Sequence, residues 1–209
     1  ITMPSSIAKS AVLLAITVAF MEIGTHAERR IDDDSDNFGD QDIYRAFSMS
    51  EGFWLHTQNF RREMTGGRSC TFFQIQHIDQ NSMNYTSYYY LANGRRDKMP
   101  YHGQFYITPM VGYVERSVSN GLNVSKTAEQ WHPSNYKLIY SNYKSCLILR
   151  VVDFERMIGY ACMVLVSDPP PADSSMPTDC QLKFRNACYR QRISEQIYEK
   201  SCTKPTDAE

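Results

Sequence analysis

Between residues 53 and 167 the chain repeats one pattern, a short run rich in aromatic and β-branched side chains followed by a break. FWLHTQNF (53–60), SCTFFQIQHI (69–78), NYTSYYYLA (84–92), QFYITPMVGYVE (104–115), YKLIYSNY (136–143), SCLILRVV (145–152) and GYACMVLVS (159–167) are the clear runs, and NVSKTAEQW (123–131) is a weaker one. Such side chains suit a pleated, half-buried surface. Turn chemistry separates the runs, with TGG at 65–67 and NG at 93–94 and 120–121. Seven or eight consecutive strands with short connections predict a mainly β chain, either an up-and-down antiparallel barrel or a sandwich. QDIYRAF (41–47) precedes the strands as a short helix, with Ile43, Tyr44 and Phe47 on its apolar stripe.

The first 27 residues read differently. Lys9 precedes the apolar run AVLLAITVAFM (11–21), and Thr25 and Ala27 are small residues placed as at a signal-peptidase site. That run is shorter than the roughly 20 residues needed to span a bilayer. Residues 1–27 are therefore expected to be a signal peptide, 28–40 an acidic, solvated and flexible leader, and 41–205 a single folded domain. Asp32, Asp34 and Asp36 resemble the start of a calcium loop, but Asn37 and Ile43 stand where such a loop needs Gly and Glu. The net charge of −1 gives no basic footprint for nucleic acid. A released, monomeric protein with no membrane anchor and no cofactor is expected.

Secretion agrees with the even count of six cysteines, Cys70, Cys146, Cys162, Cys180, Cys188 and Cys202, which imply three disulfides in an oxidising compartment. Asn84 and Asn123 head two N-x-S/T sequons, the signal for glycosylation on the same route. After the breaker DPPPADSSMP (168–177), Thr178 or Asp179 is placed to cap a helix through CQLKFRNACYRQR. Cys180, Phe184 and Cys188 share one face of it. Eight helical residues rise about 12 Å, and a disulfide needs Cα atoms within about 7 Å. Cys180 and Cys188 therefore cannot bond each other, and both reach the sheet from outside.

Alternation then assigns the inner face. An outward Cys146 sends Ile148 and Arg150 outward and Leu147, Leu149 and Val151 inward. An outward Cys162 turns Met163 and Leu165 in. An outward Asn84 turns Tyr85, Ser87, Tyr89 and Leu91 in, and an outward Cys70 does the same for Thr71, Phe73 and Ile75. The implied interior is apolar and aromatic, with hydroxyls and no carboxylate among these positions.

QDIYRAF, SCTFF, NYKLIYSNYKSCLILRV, GYACMVLVSD, the cysteine-bearing helix and the closing KSCTKP resemble the tick salivary lipocalins, the family named for its histamine-binding members. The most specific element is Tyr-x-x-Tyr-Lys-x-Cys followed by Cys-x-x-x-Val-Ser. The resemblance implies a lipocalin-like eight-stranded antiparallel barrel with a short N-terminal helix and a C-terminal helix disulfide-bonded to the barrel wall. It also implies secretion with saliva to sequester a small host mediator. The disulfides it implies are Cys70–Cys202, Cys146–Cys180 and Cys162–Cys188; spacing alone leaves fifteen connectivities, among them a cross-strand Cys146–Cys162 bond.

In the histamine-binding members, buried carboxylates hold the cationic ligand, because a cation taken out of water is costly unless paired. Two of those acids follow directly on the cysteines of these two strands, where this chain has Leu147 and Met163. Met64 and Arg61 stand about where a further acid and a tryptophan would fall, and Glu115 and Glu129 remain as unplaced acids. The expected ligand is therefore a biogenic amine by family, and a fatty acid or eicosanoid by these residues. Arg61, Arg62 or Arg68 near the mouth would meet a carboxylate. The cavity candidates are Phe73, Ile75, Tyr85, Tyr89, Leu147, Leu149, Met163, Leu165, Trp54 and Arg61. Trp54 and Trp131 also suit packing at the barrel floor or rim. His56, His77, His102 and His132 form no catalytic motif, and an enzyme is not expected. The alternative is a module that binds a host plasma protein through its loops.

Overall fold

The structure, a computed structural model, describes residues 30–109, 115–126, 134–188 and 193–206. The expected signal segment and Glu129, Trp131 and His132 lie outside the described residues. Eight strands follow one another in chain order: β1 (Gly52–Gln58), β2 (Ser69–Ile78), β3 (Ser82–Tyr90), β4 (Arg96–Tyr106), β5 (Gly121–Lys126), β6 (Asn135–Ser141), β7 (Cys146–Val151) and β8 (Cys162–Ser167). Each pairs with the next, antiparallel, and β8 pairs with β1, which pairs with β2 and closes the sheet into a barrel. The sandwich alternative is thereby excluded. A two-residue strand β9 (Glu195–Gln196) adds to the end of β1.

Among the described residues, three α-helices accompany the strands: α1 (Ile43–Phe47), α2 (Glu155–Ile158) in the β7–β8 connection, and α3 (Thr178–Cys188). Asp42 caps α1, its carboxylate accepting from the Arg45 amide at 3.0 Å. The α1 amide of Ile43 donates to the Ser119 carbonyl, which fixes the helix beneath the start of β5. The TGG and first NG turns form as expected, with Gly66, Gly67 and Gly94 at positive φ. The second NG does not turn: Asn120 is buried, its side-chain carbonyl accepting from the Thr108 amide and hydroxyl, and Gly121 begins β5.

Alternation along the strands creates two cores. The inner one fills the barrel with Phe53, Leu55, Tyr85, Leu138, Leu147, Leu149 and their neighbours. The outer one lies between the wall and the C-terminal segment and includes Trp54, Phe72, Ile148, Val164 and the cysteines of α3. Cys70 bonds Cys202, Cys146 bonds Cys180, and Cys162 bonds Cys188, leaving no cysteine free. The cross-strand alternative is not formed.

The acidic leader departs from the solvated stretch expected of it. Residues Ile31–Asp33 and Ser35–Asp40 form 3₁₀ turns against β6, and Asp32 is fully buried. The reason lies in Arg150, which points outward as expected but is covered there. Its Nη2 meets Asp32 Oδ1 at 2.8 Å, and its Nη1 donates to the Ala187 carbonyl of α3 at 3.3 Å. A covered guanidinium needs an anion, and the leader supplies it.

Candidate functional site

Among the described residues, the barrel interior shows two small compartments that share a wall. The lower one is lined by Phe47 of α1 together with Phe73, Ile75, Met83, Tyr85, Leu122, Tyr136, Leu149, Met163 and Leu165. The upper one, towards the β1–β2 loop, adds Leu55, Thr65, Arg68, Thr71, Ser87 and Tyr101 and shares Phe73, Tyr85, Tyr136 and Met163 with the lower. Each has a volume of about 40 Å³. The shared aromatic rings constrict the space between them: Phe73 meets Tyr85 edge-on at 5.8 Å, and Tyr85 stacks on Tyr101 at 5.3 Å.

The polar groups gather in the upper compartment. The Arg68 guanidinium lies over the Tyr89 ring at 3.8 Å, with Nη1 at 3.5 Å from the Tyr101 hydroxyl. Burial pushes the phenols of Tyr85 and Tyr136 well up from their ordinary range, so both stay neutral donors near pH 7. Thr71 Oγ1 and Ser87 Oγ are buried without a protein hydrogen-bond partner. Gln58, brought to the inner face opposite Met163 by the β1–β8 register, carries an unpartnered Oε1 as well. Buried polar atoms are seldom left unpaired, and a polar group of a ligand or a water would satisfy them. Among the described residues that line the two compartments, none is a carboxylate and Arg68 carries the charge.

The structure brings together six of the ten cavity candidates: Phe73, Ile75, Tyr85, Leu149, Met163 and Leu165. Leu147 faces inward but is fully buried in the core beside them and lines neither compartment. Tyr89 is buried under Arg68 rather than on the cavity surface. Two candidates are corrected. Arg61 is exposed at the N-cap of the 3₁₀ turn Arg62–Thr65, and Arg68 takes the place expected of it. Trp54 faces away from the cavity, because its cross-strand partner Phe72 is on the outer face; its ring packs on Phe72 and Tyr198, and Nε1 donates to Asp168 at 3.0 Å. Arg62 pairs with Glu195, and Glu115 is exposed. Phe47, Met83, Tyr101, Leu122 and Tyr136 were missed as lining residues; pairing β6 with β7 would have placed Tyr136 opposite the inward Val151. The Asn84 and Asn123 side chains are exposed on the outer face, where Asn84 Oδ1 accepts from His102 Nδ1 at 2.8 Å.

Comparison with known proteins agrees with the barrel. The family model described as tick histamine binding protein matches residues 31–204. No curated protein matches the chain. Among solved structures, apocrustacyanin C2 is similar with a TM-score of 0.51 at 13% identity, covering 81% of this chain and 87% of that one. Apocrustacyanin C1 gives 0.50 at 14%, covering 80% and 86%. Japanin from Rhipicephalus appendiculatus, bound to cholesterol, gives 0.49 at 12%, covering 73% and 95%. The crustacyanin likeness shows the fold, an antiparallel lipocalin barrel.

Proposed function

The chain belongs to the tick histamine-binding protein family, and from that premise we propose that it is a secreted scavenger of a small, apolar host mediator with an acidic head, of the fatty acid or eicosanoid class. The family and fold are those of binding proteins rather than enzymes. One observation carries the choice of ligand: the lining is aromatic and aliphatic, its charge is the cation Arg68, and Met163 stands where the amine-binding members place an acid. An ammonium ion would be desolvated here opposite a guanidinium, which is unfavourable on both counts. A carboxylate would meet Arg68 and the neutral phenols, with its chain running down past Phe73 and Met163. Sequestering such a mediator would aid evasion of host defence.

Secretion rests on the family and on the N-terminal pattern; among the described residues, no helix is long and apolar enough to cross a membrane. Asn84 and Asn123 are proposed as glycan carriers on that route. The test is isothermal titration of the disulfide-intact mature protein with arachidonate and with histamine. Stoichiometric binding of arachidonate with little heat from histamine is expected; tight histamine binding alone would overturn the reading. One observation favours a second reading, a host-protein binder acting through its loops. Ligand pockets usually span about 300–1,000 Å³, and compartments of about 40 Å³ require side chains to move before a ligand fits. Silence from both titrants with capture of a plasma protein would favour it.

A further inference from the structure

The floor of the lower compartment is thin. Phe47, the last residue of α1, lines the compartment from below, as Ile75 does from β2. Both residues also line a groove on the other side, of about 600 Å³, formed with Tyr44, Met49, Glu51 and Ile78. They are the two residues common to both linings. The Phe47 ring is held edge-on to Phe53 at 5.6 Å and stacked on Phe105 at 6.5 Å. The helix that carries it is anchored by the Asp42 cap, and the Asp42 amide donates to the Tyr143 hydroxyl at 2.9 Å.

We propose that Phe47, with Ile75, is the stop that sets how long an apolar chain the cavity accepts. This rests on the reading that the ligand is an acid whose head meets Arg68. Along β2, the six steps from Ser69 to Ile75 span roughly 20 Å, so a chain anchored at the upper end has a finite run before it reaches the floor. Each methylene that finds apolar surroundings strengthens binding about fourfold. The first methylene past the floor must displace the Phe47 ring from Phe53 and Phe105 or fold back on the chain. Affinity therefore turns over at one chain length. Shortening either side chain joins the compartment to the groove and moves that turnover to longer chains.

The experiment is calorimetric titration with the even-numbered saturated fatty acids from decanoate to icosanoate. It compares the wild type with Phe47→Leu, Ile75→Ala and, as a control at the opposite end of the barrel, Phe60→Leu; each is first shown to be folded by circular dichroism. Ile75→Ala keeps the test open should Phe47→Leu fail to fold. The wild type should strengthen with length and then turn over. Phe47→Leu and Ile75→Ala should move the turnover to a longer acid, and Phe60→Leu should not move it. An unmoved turnover in folded Phe47→Leu and Ile75→Ala, or the same movement in Phe60→Leu, would overturn the proposal while leaving the acidic ligand in place. A wild type that binds no member of the series would sink the ligand class, and the chain-length stop with it.

Discussion

Arg68 reaches the cavity because the strand in front of it is irregular. Cys70 has φ of 47°, and the β2–β3 register slips between Ser69 and Phe72. A strict alternation counted back from the outward Cys70 would put Arg68 outside, so nothing in the residue pattern singled it out from Arg61 and Arg62. Trp54 was legible by contrast: Phe53 pairs with the inward Phe73, which leaves Trp54 outward. Its suitability for packing at the barrel floor obscured it. Replacing Arg68 by Met removes the charge and keeps the bulk. Hydrogen bonds to a charged group are worth about 1.5–3 kcal/mol, so arachidonate affinity should fall roughly ten- to a hundredfold, with the alcohol of the same chain little affected. Equal losses for acid and alcohol would show that Arg68 only shapes the pocket. His56 makes a separate, pH-dependent contribution. Burial lowers its pKa, the Ser174 carbonyl opposing the shift by a hydrogen bond at 3.0 Å. The unfolded chain then takes up this proton first, so stability is lost as pH falls below about 6.5 and is unaffected above it. Between pH 7.5 and 5.5 the wild type should lose more in Tm than His56→Gln; parallel curves would remove His56 from the account.

At the scale of elements, the strands that alternate cleanly were legible, and those that carry charge were not. β4 begins at Arg96, well before the run QFYITPM that announced it. Its first half, RDKMPYH, has exposed Asp97, Lys98 and Pro100, and period-two apolarity is lost where the outer face is solvated. The helix α3 was legible from the spacing of Cys180 and Cys188, since both bonds had to run to the sheet. The leader was not, because its order comes from a partner 118 residues away: Asp32 answers Arg150, which α3 has covered. This tie carries a prediction. Asp32→Asn leaves the guanidinium buried without its bonded carboxylate and should cost about 3–5 kcal/mol in denaturant unfolding with disulfides intact. Arg150→Met in the same chain should recover most of that loss. A small loss in the single variant would mean that Glu155, whose carboxylate lies 3.8 Å from Arg150 Nε, already balances the guanidinium.

The whole molecule is a barrel with two cores that serve different ends. The outer core, with its three disulfides, fixes the wall against the C-terminal segment. The inner core then need not be filled to the last methyl, and the rings of Phe73, Tyr85 and Tyr136 divide what space remains. Met163 sits on the regular inner face, which is why its inward position could be read from alternation, whereas the place of Arg68 at the mouth depended on a bulge. The proposed ligand joins an acidic head to an apolar chain. The most direct measurement is calorimetric titration of one chain bearing three heads: arachidonate, arachidonyl alcohol and arachidonyl amine, at pH 7.4. Affinity should fall in that order, with the amine weakest because it is desolvated beside Arg68. Tightest binding by the amine would contradict the account and return this chain to the amine chemistry for which its family is named.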